Sequence, residues 1–208
     1  MNMAVTTRIK VCGITSVEDA HKAAIAGVDA IGLVFYEKSP RNVSIARAVE
    51  IAHSVPPFMS VVGLFVNAAE SFMQTVLAEV PFSLLQFHGD ESEQECHRWG
   101  ERYIKAFRVR PGIPVSDMVK PYTSASGYLL DSYHKGIPGG TGESFDWKLI
   151  PTDLDKPVIL AGGLNPDNAA QAIAQVRPYA IDVSSGVEAA PGIKDLETMN
   201  ALIKAAGR

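Results

Sequence analysis

The sequence predicts an α/β fold, specifically a closed (β/α)8 TIM barrel, on three observations. Eight short apolar runs alternate with segments of helical period along the whole chain. Those runs are rich in Val, Ile, Leu and Phe and alternate little, as strands covered on both faces do. Eight repeats in 208 residues give units of about 26 residues, and no linker or composition shift interrupts them. A doubly wound open sheet is the alternative. One domain is expected over residues 1–208, with residues 1–7 as a short lead.

Strands are predicted at 8–12, 30–35, 60–66, 83–87, 103–107, 127–131, 157–161 and 180–184. After the first, Thr15 with Glu18 reads as a capping box opening a helix whose core stripe is Val17, Ala20, Ala24 and Ile25, closed by Gly27. Ser44 caps a second helix with Ile45, Ala48, Val49 and Ala52 inward. Asn67 with Glu70 begins a third, carrying Phe72, Val76 and Leu77, and Asp90 precedes a shorter fourth. The weakest helical pattern lies between Pro114 and Tyr122. The glycines at 136, 139, 140 and 142 make 132–144 a mobile loop. Asn165-Pro166 supplies a cap with proline at the first helical position. Leu196, Met199, Leu202 and Ile203 line the last helix.

A net charge of −4 gives no global attraction for nucleic acid or an anionic membrane, so an anionic ligand must be caught locally. No run approaches the length of a membrane span and no secretion signal opens the chain, so a cytoplasmic protein is expected. The two cysteines are then free thiols.

In such a barrel, polar residues just after each strand line one mouth. Here they include Cys12, Ser39-Pro40-Arg41, Asn67, Gln86, His88, Asp131, Gly162-Gly163, and Asp182 with Ser184-Ser185-Gly186. The two loops after strands 7 and 8 form the firmest site. Glycines let a phosphate approach the backbone, and serines add hydroxyl donors. Cys12 stands between a strand and a helix N-terminus, where a thiolate is favoured. Asp131 ends an apolar strand, a costly place for a carboxylate without a task. Arg41 reads equally well as a solvated loop cation, and Asp182 as a structural carboxylate holding loop amides. His88 reads better as a satisfied barrel histidine than as a base. No His/Cys/Asp/Glu spacing points to a metal. Gly139–Gly142 lacks the Lys-Ser/Thr ending of a nucleotide loop.

Taken in order, Lys10-Val-Cys-Gly-Ile-Thr15, Ser39-Pro-Arg41, Gly63-Leu-Phe-Val-Asn67, Gln86-Phe-His-Gly89, Leu130-Asp-Ser132, Gly139-Gly-Thr-Gly142 with Phe145-Asp-Trp147, Leu160 to Pro166, and Asp182 to Glu188 with Pro191 to Asp195 resemble the phosphoribosylanthranilate isomerases of tryptophan biosynthesis. The resemblance runs from about residue 8 to the C-terminus and departs at Phe87, where leucine is expected. Residues 108–126 contribute nothing to it.

The resemblance implies an aldose–ketose type isomerase that needs no cofactor and acts on a small phosphorylated substrate, as a monomer or homodimer. It implies Cys12 as general base and Asp131 as general acid. It implies Arg41 at the anthranilate end, and Asp182, Gly162, Gly163, Ser184, Ser185 and Gly186 against the substrate and its phosphate. Lys10, Gln86 and His88 stand behind them as supporting residues.

The productive form would need a thiolate at Cys12 and a carboxylic acid at Asp131, the reverse of their reference order. With reference pKa values of about 8.5 and 3.9, about 2 in 100,000 molecules are ready at pH 7, equivalent to about 6 kcal/mol of barrier. Burial is therefore expected to favour the neutral acid at Asp131, and the helix beginning near Thr15 to lower the Cys12 thiol.

Overall fold

A computed structural model describes residues 6–110, 112–132 and 146–208. The loop expected over 132–144 lies, beyond Ser132, outside them. The order is β1 (Arg8–Cys12), α1 (Val17–Ala26), β2 (Ala30–Phe35), α2 (Ile45–Ser54), β3 (Ser60–Phe65), α3 (Glu70–Glu79), β4 (Leu84–Phe87) and α4 (Glu93–His97). Next come β5 (Tyr103–Val109), α5 (Val115–Val119), β6 (Gly127–Ser132), a 3-10 turn at Trp147–Leu149, β7 (Val158–Leu160), α6 (Ala169–Val176) and β8 (Ala180–Val183). A 3-10 turn at Ser185–Val187, an antiparallel hairpin of β9 (Glu188–Ala190) and β10 (Ile193–Lys194), and α7 (Leu196–Ala205) complete the chain.

Strands β1 to β8 pair in parallel, each with its neighbour in sequence, and β1 pairs with β8 to close the barrel. Period-two alternation then decides what faces the axis. Ile9, Val11, Leu85, Phe87, Tyr128, Leu130, Ile181 and Val183 point outward into the large apolar layer beneath the helices. Their neighbours in sequence face the axis, where Ile104, Ala106, Leu129, Ile159, Ala161 and Ala180 fill the lower interior. The same parity carries Lys10, Cys12, Gln86, His88, Asp131, Asp182 and Ser184 toward the mouth. Both parities are apolar low in the barrel, which is why the strands read as unbroken apolar runs.

The expected strands agree with those observed to within two residues at either end. The helix starts agree less well. Ser16, not Thr15, caps α1 by accepting from Asp19 N, while Thr15 Oγ1 donates to Gly192 O at 2.6 Å. Gly27 closes that helix at φ 85°, as expected, and Ser44 caps α2. Asn67 caps nothing. It adopts φ 49° and its Oδ1 accepts from Asp90 N at 2.7 Å, tying two mouth loops together. Ala69 precedes α3 without a side-chain cap, and Ser92 with Glu95 forms the box that starts α4, displacing Asp90 from that task.

Regular α6 begins only at Ala169, but Asn165 Oδ1 accepts from Asp167 N and Asn168 N, so its capping chemistry serves the turn before the helix. Ile25 is 75% exposed and Phe72 40% exposed, so neither belongs to the core stripe assigned to it. Ala23 and Met73 are buried on those helices instead, two residues and one residue away in sequence. The β9–β10 hairpin was not expected, because strands of three and two residues give too short a pattern to read.

Candidate active site

The C-terminal mouth of the barrel opens into a cavity lined by Cys12, Arg41, Gln86, His88, Asp131, Gly162, Gly163, Asp182, Ser184 and Ser185. Two residues of the expected set are absent from that lining. Lys10 lies one layer deeper, and Gly186 packs so closely on Leu164 O that a side chain there would collide with the main chain. Gly186 therefore buttresses the β7 loop against the β8 loop.

On the β1 side, Cys12 is buried two residues after Lys10 on the same strand face. The register that sets Lys10 opposite Asp182 closes an ion pair, with Lys10 Nζ at 2.8 and 2.9 Å from the two carboxylate oxygens. Burial opposes the Lys10 ammonium, but Asp182 and Cys12 together raise its pKa above the ordinary lysine value. Burial pushes the Cys12 thiol up, with Lys10 pulling it back, Asp182 pushing it further and Lys194 pulling it back again. The net direction is upward, which corrects the expectation of a thiol lowered by the helix. Helix α1 starts only at Val17, five residues on, and the cation nearest in the chain is two residues back.

Arg41 is not a free cation. Its Nε and Nη2 form a fork on Glu188 at 2.8 and 2.7 Å, and Lys194 Nζ shares Glu188 Oε1 at 2.7 Å. Burial works against the Glu188 carboxylate, yet these bonds hold it below the ordinary glutamate range. Sequence reasoning assigned no task to Glu188 or Lys194. The available signal was their place in the segment after strand 8, but the hairpin that folds them back over the mouth had no legible pattern.

The β6 side is built differently. Asp131 is buried, its Oδ1 accepts from Ser132 N at 2.8 Å, and its Oδ2 stands 3.2 Å from His88 Nε2. That last approach is within ion-pair distance but outside hydrogen-bond alignment. Gln86 Nε2 lies 3.1 Å from His88 Nδ1; with the amide donating, the ring proton sits on Nε2, facing Asp131. Gln86 is fully buried and its Oε1 has no partner among the described residues.

Gly162 has φ 88°, and a Cβ there would stand 2.5 Å from Ser132 N and 2.8 Å from Asp131 Oδ1. Its first task is therefore room for the Asp131 carboxylate. Gly163 follows with φ 64°, so two left-handed residues in a row turn the chain sharply at the cavity wall. Ser184 Oγ donates to Cys12 O at 3.0 Å, which commits that hydroxyl to the β1 strand.

The closed eight-stranded barrel agrees with the comparisons to known proteins. The family description N-(5'phosphoribosyl)anthranilate (PRA) isomerase matches residues 9–205. The chain belongs to the phosphoribosylanthranilate isomerase family. It is 57% identical over 198 residues to the N-(5'-phosphoribosyl)anthranilate isomerase of Pseudomonas aeruginosa, covering 95% of this chain and 94% of that one.

Among solved structures, a phosphoribosylanthranilate isomerase in complex with reduced 1-(o-carboxyphenylamino)-1-deoxyribulose 5-phosphate is 39% identical with a TM-score of 0.84, covering 97% of this chain and 98% of the other. Monomers generated from the dimeric isomerase of Thermotoga maritima are 36% identical with a TM-score of 0.83, covering 97% and 98%. Family membership makes the chain an isomerase of tryptophan biosynthesis. Among the described residues no helix is long and apolar enough to cross a membrane.

Proposed function

We propose that the cavity takes N-(5-phosphoribosyl)anthranilate and releases 1-(2-carboxyphenylamino)-1-deoxyribulose 5-phosphate, with Cys12 as base and Asp131 as acid. The observation that carries this reading is that both side chains line one cavity from β1 and β6, with the loops after β7 and β8 between them around the ring. A substrate whose phosphate rests against Gly163 and Ser185 then presents its sugar to the acid on one flank and the base on the other.

Asp131 delivers a proton to the furanose oxygen as the C1′–O bond opens, and the anthranilate nitrogen becomes an iminium. That cation acidifies the C2′ proton, which the Cys12 sulfur removes to give an enolamine, and the enolamine ketonises to the product. His88 and Gln86 orient the acid. Arg41, steadied by Glu188, faces the anthranilate end, where its planar cation suits both the carboxylate and the ring. Asp182 is held by Lys10 at the cavity wall. Binding energy from the phosphate positions the reacting carbons.

The proposed unit is one domain spanning the chain, as a monomer or homodimer in the cytoplasm. Substrate made in situ loses its anthranilate fluorescence on conversion, so the test is the decay of that signal on adding protein. A folded protein that leaves the fluorescence unchanged overturns the assignment.

A further inference from the structure

The surroundings of Cys12 contain charged groups that the reaction scheme does not use. Among the described residues, charged side chains reach its neighbourhood from five elements: Lys10 on β1, Arg41 on the loop after β2, Asp182 on β8, Glu188 on β9 and Lys194 on β10. Lys194 also packs on α1, where its backbone N–H donates to the buried Asp19 carboxylate, itself paired with Lys22. Asp182 is taken by Lys10, and Glu188 is shared between Arg41 and Lys194. Lys194 is almost wholly buried, and its Nζ also donates to Ser184 O at 3.1 Å, on the residue whose hydroxyl holds the Cys12 carbonyl. The remaining titratable groups on the cavity, Asp131, His88 and Tyr36, belong to the β6 side and to the rim.

A buried thiol ionises only as far as nearby cations offset the loss of solvent. Lys10 is placed to do so. A Cβ on Gly32 would stand 2.7 Å from Cys12 Sγ and 3.1 Å from Lys10 Nζ, so sulfur and ammonium flank the same space, which only a glycine leaves open.

We propose that Lys194 and Lys10 are positioning residues that offset the burial of Cys12 and so make its sulfur a usable base, Lys194 being tied through Ser184 to the Cys12 main chain. The proposal rests on the reading of Cys12 as the base and explains how a buried thiol becomes one. Lys10 and Lys194 both favour the thiolate, and burial and Asp182 oppose it. Burial pushes the Lys194 ammonium down, while its bond to Glu188 works in the other direction. The cluster is thus adjustable in both senses: losing a cation disfavours the thiolate and losing a carboxylate favours it.

The test is the rate of Cys12 alkylation by iodoacetamide against pH, read by peptide mass, with circular dichroism checking the fold. Cys96 gives little background, since burial pushes its thiol up to about 12. Lys194→Met is expected to move the midpoint up by about one pH unit, a tenfold loss of thiolate below the midpoint. Lys194→Arg restores it, and Glu188→Gln moves it down. The acidic limb of kcat/KM follows in the same order.

An unmoved midpoint in folded Lys194→Met, or a shift of Lys194→Met and Glu188→Gln in the same direction, overturns the proposal. If Lys194→Met does not fold, Glu188→Gln decides alone, and an unmoved or raised midpoint overturns it. Alkylation is read without substrate. The base reading is tested separately by turnover of Cys12→Ser, so the two can fail independently.

Discussion

The two walls of the mouth hold one reactive group each and are built on opposite principles. The wall from β8 through β1 and β2 to the hairpin surrounds Cys12 with five charged side chains joined in two ion-pair sets. The wall from β4 to β6 gives Asp131 a backbone amide, a histidine edge and, behind that, an amide side chain, with Arg108 of β5 opposite it in register and reaching His88 O. A thiol needs help to ionise, and fixed cations give it. The thiol's wall is thus made of paired charges, and the carboxyl's of hydrogen-bonding neighbours.

The comparison is broken most directly by removing the two reactive groups. Cys12→Ser and Asp131→Asn are each expected to lose about 100-fold or more in kcat/KM, since a hydroxyl is a far poorer base and an amide cannot deliver the proton. Near wild-type turnover in either folded variant, with chemistry limiting the rate, removes that residue's role.

Gly162→Ala comes next. It forces a side chain onto a φ of 88° and against the Asp131 carboxylate, so activity should drop by about tenfold, with a cost to stability of about 1–3 kcal/mol. Thermal unfolding beside single-turnover rates checks this, and an unchanged rate would show that Asp131 does not depend on that space. Arg41→Ala sharpens the comparison on the charged wall. It should weaken a product analogue bearing the anthranilate group by about tenfold and leave inorganic phosphate binding unchanged, by calorimetry. Equal weakening of both ligands would make Arg41 part of a general anion field.

The smallest effect is on stability. Glu188 has its folded pKa depressed below the ordinary 4.5, so its contribution is fully present above that value and is lost as pH falls through the folded pKa. The Tm of wild type should therefore exceed that of Glu188→Gln by most above about pH 5, the margin narrowing at lower pH. A margin independent of pH would mean the Glu188 bonds contribute through packing alone.

What the sequence determined by itself was whatever depends on neighbours along the chain. The eight strands were legible because apolar runs of strand length need only local composition. The mouth positions of Cys12, Asp131 and the glycines after strands 7 and 8 were legible because each lies at or just after a strand end. Gly27 and Ser44 announced their helix ends by residue type.

Tertiary structure decided the partners. Lys10 meets Asp182 only because barrel closure pairs the first strand with the last, 172 residues away. Arg41 meets Glu188 across 147 residues, through a hairpin too short to leave a pattern. The source of the thiol's support was misread for the same reason. The next helix was visible in sequence, whereas the alternation that turns Lys10 and Cys12 to one face, and the lysine folded back from β10, act through space. An ionisable group responds to charges within a few ångströms, whatever their separation along the chain.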